Sequence, residues 1–178
     1  MRIRIFSLKI QNSEDFMKKF LSLLLALLML AALTSCGKAE PKIFSAQGMS
    51  LTLTSDFKEN TQTGYTVCYE SSKVAVFILK ESFSLQPGAE NLTLDEYAEL
   101  IRQSNASKSP SAIVKQDGFH TMEYDFLNEN ENQIYSYFCT MFKGPDAFWL
   151  VQFACRKGDY AAYSDAFMDW AKTVTFQP

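Results

Sequence analysis

Histidine occurs once in the 178 residues, at His120, and basic residues are outnumbered, 17 Lys+Arg against 20 Asp+Glu. A single imidazole leaves little room for His-based metal sites or for Ser/His/Asp and Cys/His nucleophile machinery. The shortage of positive charge leaves no surplus to neutralise phosphates, which argues against a nucleic-acid partner. There are four cysteines and no CxxC pair. No P-loop, GxSxG, HExxH or dinucleotide fingerprint occurs, so the common catalytic and cofactor signatures are missing. The longest apolar stretch, Phe20 to Leu33, has 14 residues. A membrane-spanning helix needs roughly 20. What is present is a chain with 47% apolar and 21% charged residues, the composition of a globular domain.

The apolar stretch follows Lys18 and Lys19 and runs into Thr34-Ser35-Cys36. A positive segment, an apolar segment and small residues before a cysteine have the form of an export signal. Leu33-Thr34-Ser35-Cys36 resembles the bacterial lipobox. That resemblance implies a diacylglyceryl thioether on Cys36, cleavage just before it, and a mature protein anchored in the cell membrane by its lipid and facing outside the cytoplasm. An uncleaved anchor helix or an ordinary secretory signal is the alternative. Residues 1–16 carry Glu14 and Asp15 into a segment that should be positive, which points to translation starting at Met17. The expected organisation is a signal over 1–35, a lipidated cysteine and short linker over 36–42, and one domain over 43–178.

From Cys36 onward there are 12 Lys+Arg against 18 Asp+Glu, a net charge of −6, which favours solubility and disfavours adhesion to anionic lipid. Cys68, Cys139 and Cys155 all fall in apolar, strand-like runs, where a free thiol behaves as a small hydrophobe. A Cys139–Cys155 disulfide or a reactive thiol is the alternative reading.

Met49–Thr54 alternates apolar and polar residues, as a half-buried strand does. Strands are expected over 64–70 and 73–81, joined by a tight turn at Ser71-Ser72. Thr93-Leu94-Asp95-Glu96 has the form of a capping box, and Leu94, Tyr97, Ala98 and Ile101 then share one helical face. Pro110 ends that segment. Strands follow over 112–116, 119–127, 133–143 and 147–157, separated by Asp117-Gly118, by Asn128–Asn132 and by Gly144-Pro145-Asp146. The last two, and Val74–Leu79, are apolar on both faces and must be covered on both. Tyr160, Tyr163, Phe167, Trp170 and Val174 recur at helical spacing, with Asp159 as the expected N-cap. The architecture expected is α+β: a mostly antiparallel sheet of six to eight strands with one helix against each face, an α/β/α sandwich.

This order of elements resembles the PsbP-like fold. The residues that carry the resemblance are the opening "GMSLTLTSDFKE", the helix "LTLDEYAEL", the run of antiparallel strands and the closing "YSDAFMDWAKTVTFQ". It covers about residues 43–178 and contains no diagnostic motif. The fold is shared by photosystem extrinsic subunits, a nuclear-import Ran-binding factor and bacterial lipoproteins. The resemblance implies a binding or assembly module and supplies no catalytic residue.

Few residues stand out as chemical candidates. His120 has no sequence-neighbouring acid or nucleophile and reads as an exposed or hydrogen-bonded residue at the start of a strand. Glu123 and Asp125 share a sheet face, so a glycosidase-like carboxylate pair is geometrically open, against the plainer reading of a solvated edge. Glu129 and Glu131 alternate with asparagines, but without the register of a calcium loop. Tyr135 and Tyr137, on one face of a central strand, are the ligand-facing candidates. The reading reached is a membrane-tethered, non-catalytic module that binds a protein or small molecule, without metal or cofactor. The alternative is a cell-envelope hydrolase using Glu123 and Asp125.

Overall fold

The computed structural model describes residues 39–177. Two antiparallel sheets and two helices build the unit that starts at Pro41. The strands are β1 (Pro41–Ala46), β2 (Met49–Thr54), β3 (Lys58–Asn60), β4 (Val67–Glu70), β5 (Val74–Ser82), β6 (Val114–Lys115), β7 (His120–Asn128), β8 (Gln133–Lys143), β9 (Ala147–Arg156) and β10 (Thr175–Phe176). The helices are α1 (Leu94–Ser104) and α2 (Tyr160–Ala171). Seven strands form one sheet in the order β3-β4-β5-β9-β8-β7-β6, and β1-β2-β10 form another. The fold is therefore α+β with a helix on each face of the large sheet.

The separate small sheet departs from the single sheet expected. Its cause is local. Gln47 and Gly48 both take positive φ, 48° and 93°, which makes the two-residue turn that pairs β1 with β2 from Ala46 and Met49 outward. After α2 the chain returns and adds β10 to the other edge of β2. With both edges paired, β2 has no hydrogen bonds left for the large sheet and lies over it. The Thr173 hydroxyl accepts from the Thr52 amide at 2.8 Å and locks the end of α2 to β2.

On the inner face of the large sheet, Val76, Ile78, Trp149, Val151 and Phe153 pack against Met49, Leu51 and Leu53 of β2 and against Phe167 and Ala171 of α2. On the opposite face, Met122, Cys139, Met141, Phe148 and Leu150 pack beneath Tyr97 and Ala98 of α1. The two-sided apolar pattern of β5, β8 and β9 is explained by this double cover.

The capping box is complete: the Glu96 amide donates to Thr93 Oγ1 and the Thr93 amide to Glu96 Oε2. Asp159 does not cap α2. A short 3-10 turn, Lys157–Asp159, leads directly into the helix, so Asp159 already has helical φ and ψ and its carboxylate turns to Lys73 at 3.4 Å.

All three described cysteines are free and buried. Cys155 lies opposite Ser136 and Cys139 opposite Gln152, and the two thiols point to opposite faces of the sheet. A disulfide between them would have to pass through the sheet.

Candidate ligand-binding groove

Helix α1 covers only part of its face of the sheet. Beyond it, the register sets three cross-strand rows of side chains on the same face. One row runs Met122, Cys139, Gln152, Phe77, Cys68. The next runs Tyr124, Tyr137, Ala154, Ala75, Glu70. The last begins Phe126, Tyr135, Arg156. The middle row thus places its two smallest side chains, Ala154 and Ala75, directly opposite each other on β9 and β5. Larger groups surround them, and the result is an open groove of about 610 Å³. Its walls are the Ser71–Lys73 turn on one side and the β7–β8 hairpin, with Glu131, on the other.

Tyr135 and Tyr137 both line this groove, as their shared face requires, but they present different surfaces. Tyr137 belongs to a ladder of rings: its centroid is 5.0 Å from Tyr124 at 14° and 6.4 Å from Phe77 at 24°, with Tyr65 a further 5.0 Å beyond Phe77. Neighbours occupy the ring faces, so Tyr137 turns an edge to the groove. Burial pushes its hydroxyl pKa up to about 12. Tyr135 stands clear of that ladder. Its hydroxyl donates to Glu131 Oε2 at 2.5 Å, which raises its pKa, while nearby Arg156 acts in the opposite direction.

A buried polar link lies under the ladder. Gln152 is 4% exposed; its amide nitrogen donates to the Tyr124 hydroxyl at 3.0 Å and to Cys139 Sγ at 3.4 Å, and its oxygen accepts from the Tyr65 hydroxyl at 3.3 Å. The amide is thereby satisfied at both ends, so it fixes the aromatic rings without an unpaired polar group.

Glu123 and Asp125 are exposed and line a second hollow of about 480 Å³ with Lys157 and Tyr160; Tyr124 and Tyr137 line it too, so Tyr137 borders both hollows. Asp125 meets Lys157 Nζ at 2.7 Å and accepts from Ser136 Oγ at 2.6 Å. The Lys157 contact, with Ser136 behind it, holds the Asp125 carboxyl below its ordinary range. An ionised, doubly engaged carboxylate is the reverse of what a general acid needs. Both backbone groups of Glu123 bond to Ser111, its amide to the hydroxyl and its carbonyl to the amide. Glu131 is taken up by Tyr135.

Of the two positions expected of it, exposed or hydrogen-bonded, His120 takes the second. It is 7% exposed, beneath the first turn of α1. Its partner, Asp95, lies 25 residues earlier. Cys36 lies outside the described residues. Two contributors to the groove, Arg156 and the Ala75–Ala154 pair, were not singled out in the sequence. The small residues in otherwise bulky strands were a signal, but nothing local said that they would meet.

No protein-family model matches the chain, and no curated protein sequence is similar to it. Solved structures are similar in fold. Cyanobacterial PsbP (CyanoP) from Synechocystis superposes with a TM-score of 0.53 at 8% identity, covering 80% of this chain and 95% of that one. The Saccharomyces cerevisiae Ran-binding protein Mog1p gives 0.48 at 5% identity, covering 78% and 96%. LpqN, involved in cell envelope biogenesis of Mycobacterium tuberculosis, gives 0.46 at 9%, covering 81% and 88%. The likeness to CyanoP makes this domain PsbP-like in fold, and at such identity it speaks of fold alone.

Proposed function

We propose that this protein is a non-catalytic binding module, held on the outer side of the cell membrane by a lipid on Cys36, which takes its ligand in the groove over Ala75 and Ala154. The observation that carries the reading is the groove itself: a concavity floored by Ala75 and Ala154 where α1 leaves the sheet uncovered, with Phe77, Phe126, Tyr135 and Tyr137 set in a largely polar and charged lining. In the hydrolase alternative Asp125, engaged by Lys157 and Ser136, would be the ionised partner of the pair and Glu123 would have to supply the acid.

The tether rests on sequence: Lys18-Lys19, the apolar stretch and Leu33-Thr34-Ser35-Cys36. No helix among the described residues is long and apolar enough to cross a membrane. A diacylglyceryl thioether supplies two chains, and two chains hold a protein on a bilayer where one does so only marginally.

Two experiments test the proposal. A fragment and peptide screen by NMR on the wild-type protein and on Ala154→Leu, which fills the hollow, should return ligands that only the wild type binds, each recovered unchanged. Ligands bound equally by the filled variant would overturn the groove, and turnover abolished by Glu123→Gln would restore the hydrolase. Fatty-acid labelling in cells should mark the wild type and spare Cys36→Ser. Label on the variant would overturn the lipid anchor.

A further inference from the structure

We infer that the groove receives a small organic acid, an apolar ring or short chain whose carboxylate pairs with Arg156. The inference rests on the groove being the binding site, and it adds the chemistry of the ligand. Three observations lead to it.

The first is the absence of free backbone. The floor is made by β5, β9 and β8, each of which is hydrogen-bonded to a strand on both sides. An extended peptide could not pair with any of them, so recognition must come from side chains. The volume, about 610 Å³, is that of a site for a small molecule.

The second is the placing of charge in the lining, which holds Glu70, Glu131 and Asp159 against Lys73 and Arg156 and leaves one of the two cations without a carboxylate. Lys73 meets Asp159 at 3.4 Å, and Glu131 accepts the Tyr135 hydroxyl. Glu70 has Lys58 opposite it in register on β3 but makes no ion pair with it, so its charge stays at the far end of the groove from Arg156. Arg156 is exposed at the groove and, among the described residues, pairs with no carboxylate. A guanidinium presents a fork of donors that matches a carboxylate.

The third is spacing. Arg156 follows Ala154 by two residues on β9 and so projects from the same face, about 7 Å further along the strand. A ring resting in the alanine hollow, with a short chain to its acid group, spans that distance.

The test titrates 3-phenylpropionate and its uncharged isostere 3-phenylpropionamide into the full-length protein by NMR. The acid should bind at least about tenfold more tightly than the amide, the worth of a hydrogen bond to a charged group. Arg156→Gln should bring the acid to the level of the amide and leave the amide unchanged, while Ala154→Leu should abolish binding of both. Equal binding of acid and amide, or acid binding unaffected by Arg156→Gln, would overturn the carboxylate assignment and leave the groove standing. Binding of either probe that persists in Ala154→Leu would overturn the groove as well. No saturable binding of the acid at millimolar concentration, or tighter binding of an apolar peptide than of the acid, would overturn the small-acid inference.

Discussion

His120 Nε2 lies 2.5 Å from Asp95 Oδ1, and Asp95 Oδ2 lies 2.5 Å from Lys115 Nζ, so one carboxylate joins the first turn of α1 to both β6 and β7. The imidazole is buried, and its Nδ1 has no partner among the described residues. The contact is therefore a fastener for the helix that covers one face of the sheet. His120→Ala should lower unfolding stability in urea by about 1–3 kcal/mol, the cost of a vacated buried site and a lost hydrogen bond. An unchanged midpoint would show that α1 docks by its apolar contacts alone.

Acid should loosen the same fastener. The bond to Lys115, and next the bond to His120, hold the Asp95 carboxyl below its ordinary range. A depressed pKa stabilises the fold above the unfolded value, near 4, and that contribution is lost as pH falls through the folded pKa. Stability curves of wild type and Asp95→Asn should differ at neutral pH and converge below about pH 4. Parallel curves across that range would dismiss the ion pair.

Phe167, not Trp170, is the anchor of α2. Phe167 is 0% exposed and stacks on Phe153 with centroids 5.4 Å apart. Trp170 is only partly buried and meets Phe57 edge-on at 5.4 Å. Phe167→Ala should cost about 3–5 kcal/mol and Trp170→Ala distinctly less. Calorimetry on the two variants would detect a reversed order.

The described thiols should be silent until the domain unfolds. Burial pushes Cys139 up to about 12 and Cys155 up to about 11. Only a thiolate reacts readily, so an alkylating reagent should leave Cys68, Cys139 and Cys155 unmodified at neutral pH and label all three in denaturant. A raised pKa favours the neutral form in the fold, so stability is complete below the unfolded thiol value, near 8.5, and falls as pH rises towards the folded values. Cys139→Ala should flatten that alkaline decline. Rapid native labelling at any of the three positions would mean that its strand opens.

The Asp125–Lys157 pair is exposed on both sides, 44% and 58%. Asp125→Asn should cost less than about 1 kcal/mol at neutral pH, as exposed ion pairs do. Ligand binding in the groove should be unaffected, since Asp125 borders the other hollow. A variant that folds but loses groove ligands would show that the two hollows are coupled through Tyr137, which lines both.

Local pattern by itself determined most of the elements. Alternation marked β2, the capping box marked the start of α1, and Gly144-Pro145-Asp146 marked the turn between β8 and β9, because each of these is decided by neighbours within a few residues. Two-sided apolar strands also required cover on both faces. Tyr135 and Tyr137 were known to share a face, since side-chain direction on a strand has a period of two. Which strand lies beside which is another matter. Ala75 and Ala154 form a hollow only because β5 pairs with β9 in one particular register, and Tyr137 bounds it only because β8 pairs on the other side. The same holds for Asp95 reaching His120 and for β2 leaving the large sheet to pair with β1 and β10. Strand order and register are set by how the whole set of apolar faces packs at once. The period of two says which way a side chain points, and only the tertiary structure decides what it meets.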